Sequence, residues 1–121
     1  MADEITITYG LRVNKGGVSV QVPTTQQQYD MTGSRRCSNT QNIGTTQEVL
    51  VTGDLATAGY GLFINLDATN FVEIGIVSGG TFYPTIKLLP GQIALAPLAT
   101  LAIYAKADTA AVDLDYELIE A

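Results

Sequence analysis

The sequence predicts an all-β protein: a single-domain β-sandwich over residues 1–121, jelly-roll-like, with about eight to ten short strands. Three observations carry that expectation. Apolar residues recur at every second position along most of the chain, which puts alternate side chains on opposite faces of a sheet. Turn residues rich in Gly and Pro interrupt the pattern at strand-length intervals. No window joins a helical apolar period to a capping residue. With 121 residues, 46% of them hydrophobic, the chain is long enough to bury one core without staples and leaves no room for a second domain.

Ile5, Ile7 and Tyr9 alternate with Thr6 and Thr8, and Val18, Val20 and Val22 alternate with Ser19 and Gln21. The turn Asn14-Lys15-Gly16-Gly17 between them predicts an opening hairpin. Residues 23–47 break the pattern, being rich in Thr, Gln, Asn and Ser, and read as a long loop with one candidate short strand around Tyr29-Asp30-Met31. A structureless segment of that length in a compact domain is usually functional or ordered by a partner. Val49 and Val51, then Leu62, Ile64 and Leu66, then Val72, Ile74 and Ile76 resume the alternation. Further strands are expected over residues 61–66, 71–77, 81–88, 92–96 and 101–105. They are bounded by Asp67-Ala68-Thr69-Asn70, Ser78-Gly79-Gly80, Pro90-Gly91, and Pro97 with Thr100. The last strand is the cleanest, with Val112, Leu114, Tyr116 and Leu118 on the buried face and Asp113, Asp115 and Glu117 on the other.

Residues 88–105 carry no charge and reach the length of a membrane-spanning helix. Pro90, Gly91, Gln92 and Pro97 break that window, so two short strands account for it better. No membrane partner is expected. The acidic start Met1-Ala2-Asp3-Glu4 lacks the basic n-region and apolar run of a signal peptide, so no export signal is expected either.

Net charge is −6 and histidine is absent, which argues against a nucleic-acid partner, because phosphate neutralisation needs clustered Lys and Arg. Arg35-Arg36 is the only basic pair. Without histidine the common general base is missing, so Ser-His-Asp and Cys-His arrangements cannot form within one chain, and the inventory points away from an enzyme. Cys37 is the sole cysteine, which excludes an internal disulfide and a thiolate metal site and suits synthesis in a reducing cytosol. Beside Arg35 and Arg36 its pKa could be lowered; the plain alternative is a small core or loop thiol. Asp113, Asp115 and Glu117 lie along one strand face instead of converging on a point, as a solvated face does and a calcium site does not. Asp54, Asp67 and Glu73 are scattered, and Gly16-Gly17 and Gly79-Gly80 precede no helix, so they serve as turns and not as phosphate loops. No cofactor and no metal are expected. Tyr60, Phe63, Tyr83 and Tyr104 stand off the most apolar alternation, as residues of a core, of a subunit interface or of a ligand-stacking surface.

The opening Met1-Ala2-Asp3-Glu4-Ile5-Thr6-Ile7, the segment Ile43-Gly44-Thr45-Thr46-Gln47-Glu48, the run Gly53-Asp54-Leu55-Ala56-Thr57-Ala58-Gly59-Tyr60, the stretch Asn65-Leu66-Asp67-Ala68-Thr69-Asn70-Phe71-Val72-Glu73-Ile74-Gly75 and Leu89-Pro90-Gly91-Gln92 resemble small virion proteins encoded among the head genes of tailed bacteriophages. The resemblance spans nearly the whole chain and lies in turn and strand signatures. It implies a capsid decoration or cement protein, made in the host cytoplasm and seated on the exterior of the head shell as a β-sandwich oligomer, a homotrimer first of all. Its partners would be the major capsid protein and itself. A head-fibre, tail or baseplate component that binds a receptor is the second reading, and a carbohydrate-binding β-sandwich module is a third, of a different class. No family catalytic residue exists to carry over. For docking, Arg35 and Arg36 suit an acidic shell surface, since guanidinium groups pair bidentately with carboxylates. An N-terminal arm over residues 2–8 is the competing contact. The interface residues so expected are Arg35, Arg36, Tyr60, Phe63, Tyr83 and Tyr104.

Overall fold

Ten strands and no helix are found among residues 3–120, the part of the chain that the computed structural model describes. They fall into two compact units, Met1–Thr32 and Gly33–Ala121. No helix among these residues is long and apolar enough to cross a membrane.

The first unit is a hairpin of β1 (Ile5–Lys15) and β2 (Val18–Tyr29), paired antiparallel from Ile5 opposite Tyr29 to Lys15 opposite Val18. Both strands run well beyond the alternating residues that announce them. Gly10 faces the two residues Pro23 and Thr24 at a break in register, and such a bulge accommodates a proline because no ladder N–H is needed there. β2 then continues through Thr and Gln to Tyr29, so the first part of the expected loop is strand, and Asp30 and Met31 lie outside it.

The second unit holds β3 (Arg36–Ile43), β4 (Glu48–Val49), β5 (Tyr60–Asn65), β6 (Val72–Ser78), β7 (Thr81–Leu88), β8 (Ile93–Pro97), β9 (Tyr104–Ala107) and β10 (Val112–Ile119). They form two four-stranded antiparallel sheets, ordered β3-β10-β5-β8 and β4-β9-β6-β7. The pairing is nested. First strand pairs with last, second with seventh, third with sixth and fourth with fifth, as in one long hairpin folded over on itself; the added pairs β10-β5 and β9-β6 join its arms into sheets. Phe63, Val72, Ile74, Leu88, Ile103, Val112, Leu114, Tyr116 and Leu118 make up most of the core between them.

The last strand lies as its sequence predicts, with Val112, Leu114, Tyr116 and Leu118 buried. In β6 Val72 and Ile74 of the alternating set are buried, whereas in β5 and around β4 the buried face is the opposite one. In β5 the inward residues are Gly61, Phe63 and Asn65, which leaves Leu62, Ile64 and Leu66 outside, and beside β4 it is Leu50 that is buried while Val49 and Val51 are exposed. The second half of the expected loop is β3. Its inward residues Cys37, Asn39 and Gln41 are poorly apolar, which hid the strand from any hydrophobic period.

The β6–β7 hairpin turns through Gly79 and Gly80, both with positive φ (60° and 81°), the requirement of a two-residue turn with left-handed central positions. Further along, the register slips by one residue and Gly75 meets Pro84. A Cβ at Gly75 would lie 2.0 Å from the Tyr83 carbonyl oxygen, so the close approach itself requires glycine. Pro84 is tolerated because β7 is the last strand of its sheet.

Candidate functional site

The register of the sheet β3-β10-β5-β8 determines which side chains share its outer face. Arg36, Ile119, Tyr60 and Pro97 form one row across the four strands; Ser38, Glu117, Leu62 and Leu95 form the next, and Thr40, Asp115, Ile64 and Ile93 the third. The face is therefore divided. On β3 and β10 it is polar: the Ser38 hydroxyl donates to Glu117, Thr40 Oγ1 to Asp115 at 3.1 Å and Asn42 Nδ2 to Asp113 at 3.0 Å. The three carboxylates are thus a hydrogen-bonded ladder, and no group of metal-ligating residues occurs among the described residues. On β5 and β8 the face is apolar, with Ile93 64% and Leu95 45% exposed at the free edge of the sheet. Contiguous exposed apolar residues rimmed by polar ones mark interaction surfaces.

Arg36 and Tyr60 are brought into one row of this face. The other expected interface residues are not. Phe63 is 1% exposed, its ring 6.4 Å from that of Tyr116, so it is a core residue and not an interface one: its neighbours Gly61 and Asn65 face inward with it. It also lines an apolar cleft of about 220 Å³ with Ile74, Ile86, Leu98 and Ile103. Tyr83 is exposed on the edge strand β7, and Tyr104 is half-buried in the other sheet, opposite Val49 and Gly75. Arg35 is exposed and donates from Nη1 to the Asp54 carbonyl at 3.1 Å. In the competing N-terminal arm, residues 5–8 are paired in β1, and Ala2 lies outside the described residues.

The segment that carries the arginines is fixed by Glu120, itself only 4% exposed. Its Oε1 accepts the N–H groups of Ser34 (3.1 Å) and Arg35 (3.2 Å), and its Oε2 that of Ala56 (2.8 Å). Led by the Ala56 bond, these donors hold the carboxyl below its ordinary range against the opposing effect of burial. A Cβ at Gly33 would fall 2.1 Å from Oε1, so the chain approaches the carboxylate as only glycine allows.

A second polar cluster ties β3 to β10. The Tyr116 hydroxyl lies 2.6 Å from the Val51 carbonyl and 3.0 Å from Gln41 Oε1, and accepts from Asn39 Nδ2 at 3.0 Å. Gln41 in turn donates to Glu48 Oε1 and the Val49 carbonyl, and accepts from Val51 N–H. Burial is the chief cause that pushes the Tyr116 hydroxyl pKa up. Cys37 donates to the Val51 carbonyl at 3.6 Å, and burial, followed by Asp54 and Glu117, pushes its thiol up as well. The adjacent arginines therefore do not make it a reactive thiolate.

Leu62, Ile64, Ile93, Leu95 and Pro97 were not singled out from the sequence as contact residues. A signal was there: residues 61–64 and 93–96 are apolar on both strand faces, and a two-layer sandwich can bury only one of them. No protein family, no curated protein and no solved structure matches this chain.

Proposed function

We propose that the chain is a structural protein of a tailed-phage virion, a decoration or cement protein that binds the outside of the head shell as a homo-oligomer, trimeric by the resemblance of its sequence. The observation that supports it most is the divided outer face: an apolar strip on β5 and β8 beside a fixed row of polar side chains, with Arg36 at one end. The nested strand pairing supports a jelly-roll reading, an architecture that serves in capsid proteins. Many weak contacts repeated over a shell add up to firm attachment, so a modest strip on each subunit suffices.

The test is binding to whole virions that lack the protein, read by cryo-electron microscopy for position and copy number. Hundreds of copies in lattice positions fit decoration. A handful or a dozen at a vertex or tail would replace this reading with the receptor-binding one, and no binding would overturn both. Leu95→Asp should reduce occupancy at least tenfold with the circular dichroism spectrum unchanged. Arg35→Ala with Arg36→Ala should weaken binding chiefly at low salt.

A further inference from the structure

We propose that the β1–β2 hairpin is a self-association element, in which the apolar face of one hairpin packs antiparallel on the same face of a second copy of this chain. Leu11 stands opposite Val22, Val13 opposite Val20 and Lys15 opposite Val18, so Leu11, Val13, Val18, Val20 and Val22 share one face, with Tyr9 two residues before Leu11 in line with them. The other face carries Arg12, Asn14, Ser19 and Gln21. A two-stranded ribbon with one apolar side is marginal in water unless that side is covered. Yet Tyr9, Leu11, Val13, Val18, Val20 and Val22 are 37% to 57% exposed.

Area and charge both point to a second copy as the cover. At roughly 150–200 Å² per full side chain, these six present about 450–500 Å², so two hairpins face to face bury close to the roughly 1,000 Å² that a specific interface needs. On the same face Ile7 and Thr25 are half-buried and Ile5 is buried, so the uncovered stretch runs from Tyr9 to the tip. The charges of the hairpin are polarised along its length. Arg12 and Lys15 are at the tip, while Asp3, Glu4 and Asp30 are at the root, where Glu4 accepts the Met31 N–H and Asp30 that of Asp3. Lys15 lies on the apolar face, so antiparallel packing keeps the two basic tips apart, whereas parallel packing would bring like charges together. The contact is isologous, so it closes on a pair and does not propagate.

The contact is distinct from the three-fold one of the homo-oligomer proposed above and would join two such oligomers, and its test separates the two. Light scattering of the full chain at tens of micromolar should give a mass that Val20→Asp reduces by half, with the thermal transition of the second unit unchanged because the residue lies outside it. A mass that neither Val20→Asp nor Leu11→Asp alters would overturn the hairpin contact while leaving an oligomer built elsewhere intact. A monomeric parent would overturn both. For orientation, a spin label at the turn on Gly17→Cys in a Cys37→Ser background should show one intermolecular distance of about 34 Å, twice the five-residue offset from the middle of the apolar patch near residue 12 at about 3.4 Å per residue. A distance under about 15 Å would overturn the antiparallel arrangement.

Discussion

Tyr116→Phe isolates the inward hydroxyl that links β10 to its polar neighbours on β3. The ring is 1% exposed and stays where it is, so the substitution creates no cavity. What is lost is an acceptor for Asn39 Nδ2 and a donor shared between the Val51 carbonyl and Gln41 Oε1. Gln41 Oε1 keeps the Val51 N–H at 2.9 Å, and Asn39 is half-buried and can turn to water, so the uncompensated loss falls mainly on the Val51 carbonyl, left with the weak thiol donor of Cys37. One net hydrogen bond plus a partly unsatisfied carbonyl comes to about 2 kcal/mol. For a unit of this size that lowers Tm by roughly 8–16 °C. Urea unfolding followed by tyrosine fluorescence and far-ultraviolet circular dichroism should show the midpoint fall with its slope m unchanged. A loss under about 0.5 kcal/mol would refute the idea that this cluster, and not the apolar core alone, fastens β3 to the sheet.

Leu114→Asp should abolish soluble folding, since Leu114 is fully buried and an unpaired buried charge costs several kcal/mol, whereas Asp115→Asn should stay within about 1 kcal/mol; soluble yield and thermal melts compare them. Gly75→Ala should cost about 3 kcal/mol by denaturant titration, because its Cβ would meet backbone and not a flexible side-chain end. Glu120 has a folded pKa below its ordinary value of 4.5, so its contribution is present above that value and is lost as pH falls through the lower, folded one; melts between about pH 6 and pH 3 should decline less steeply in Glu120→Gln than in the parent.

The fold class was legible because it depends on period alone. Alternation in residues 5–9, 18–22, 72–76 and 112–118 and the turns at Gly16-Gly17 and Gly79-Gly80 identify strands wherever one face is apolar and the other polar. β3 escaped for a physical reason. Its inward side chains Asn39 and Gln41 are satisfied by Tyr116, Glu48 and Val51, partners far from or only loosely connected to them in sequence, and hydrogen-bonded burial leaves no hydrophobic period behind. β2 beyond Val22 escaped because its Gln and Thr residues gain strand structure from the register with β1 and bury almost nothing.

The same reasoning explains where the aromatic residues expected at an interface came to lie. Aromatic residues attract attention as contact residues, yet size decides their position as often as function does. Phe63 went inward because the core of a thin sandwich needs a large ring beside Gly61, where a Cβ would meet that ring at 2.8 Å. With Phe63 inside, the alternation of β5 sends Leu62 and Ile64 outward, and the register of β8 then places Leu95 and Ile93 beside them. One packing choice in the core thus creates an apolar strip on the surface. In Gly61-Leu62-Phe63-Ile64, where both faces are apolar, the outward set follows only once the inward one is known. The hairpin differs: its two faces differ in polarity along the sequence itself, so its exposed valines are a property of the chain and not a by-product of the core. That difference makes the hairpin face the better specified of the two surfaces, and it implies that substitutions there change assembly while leaving the sandwich unperturbed.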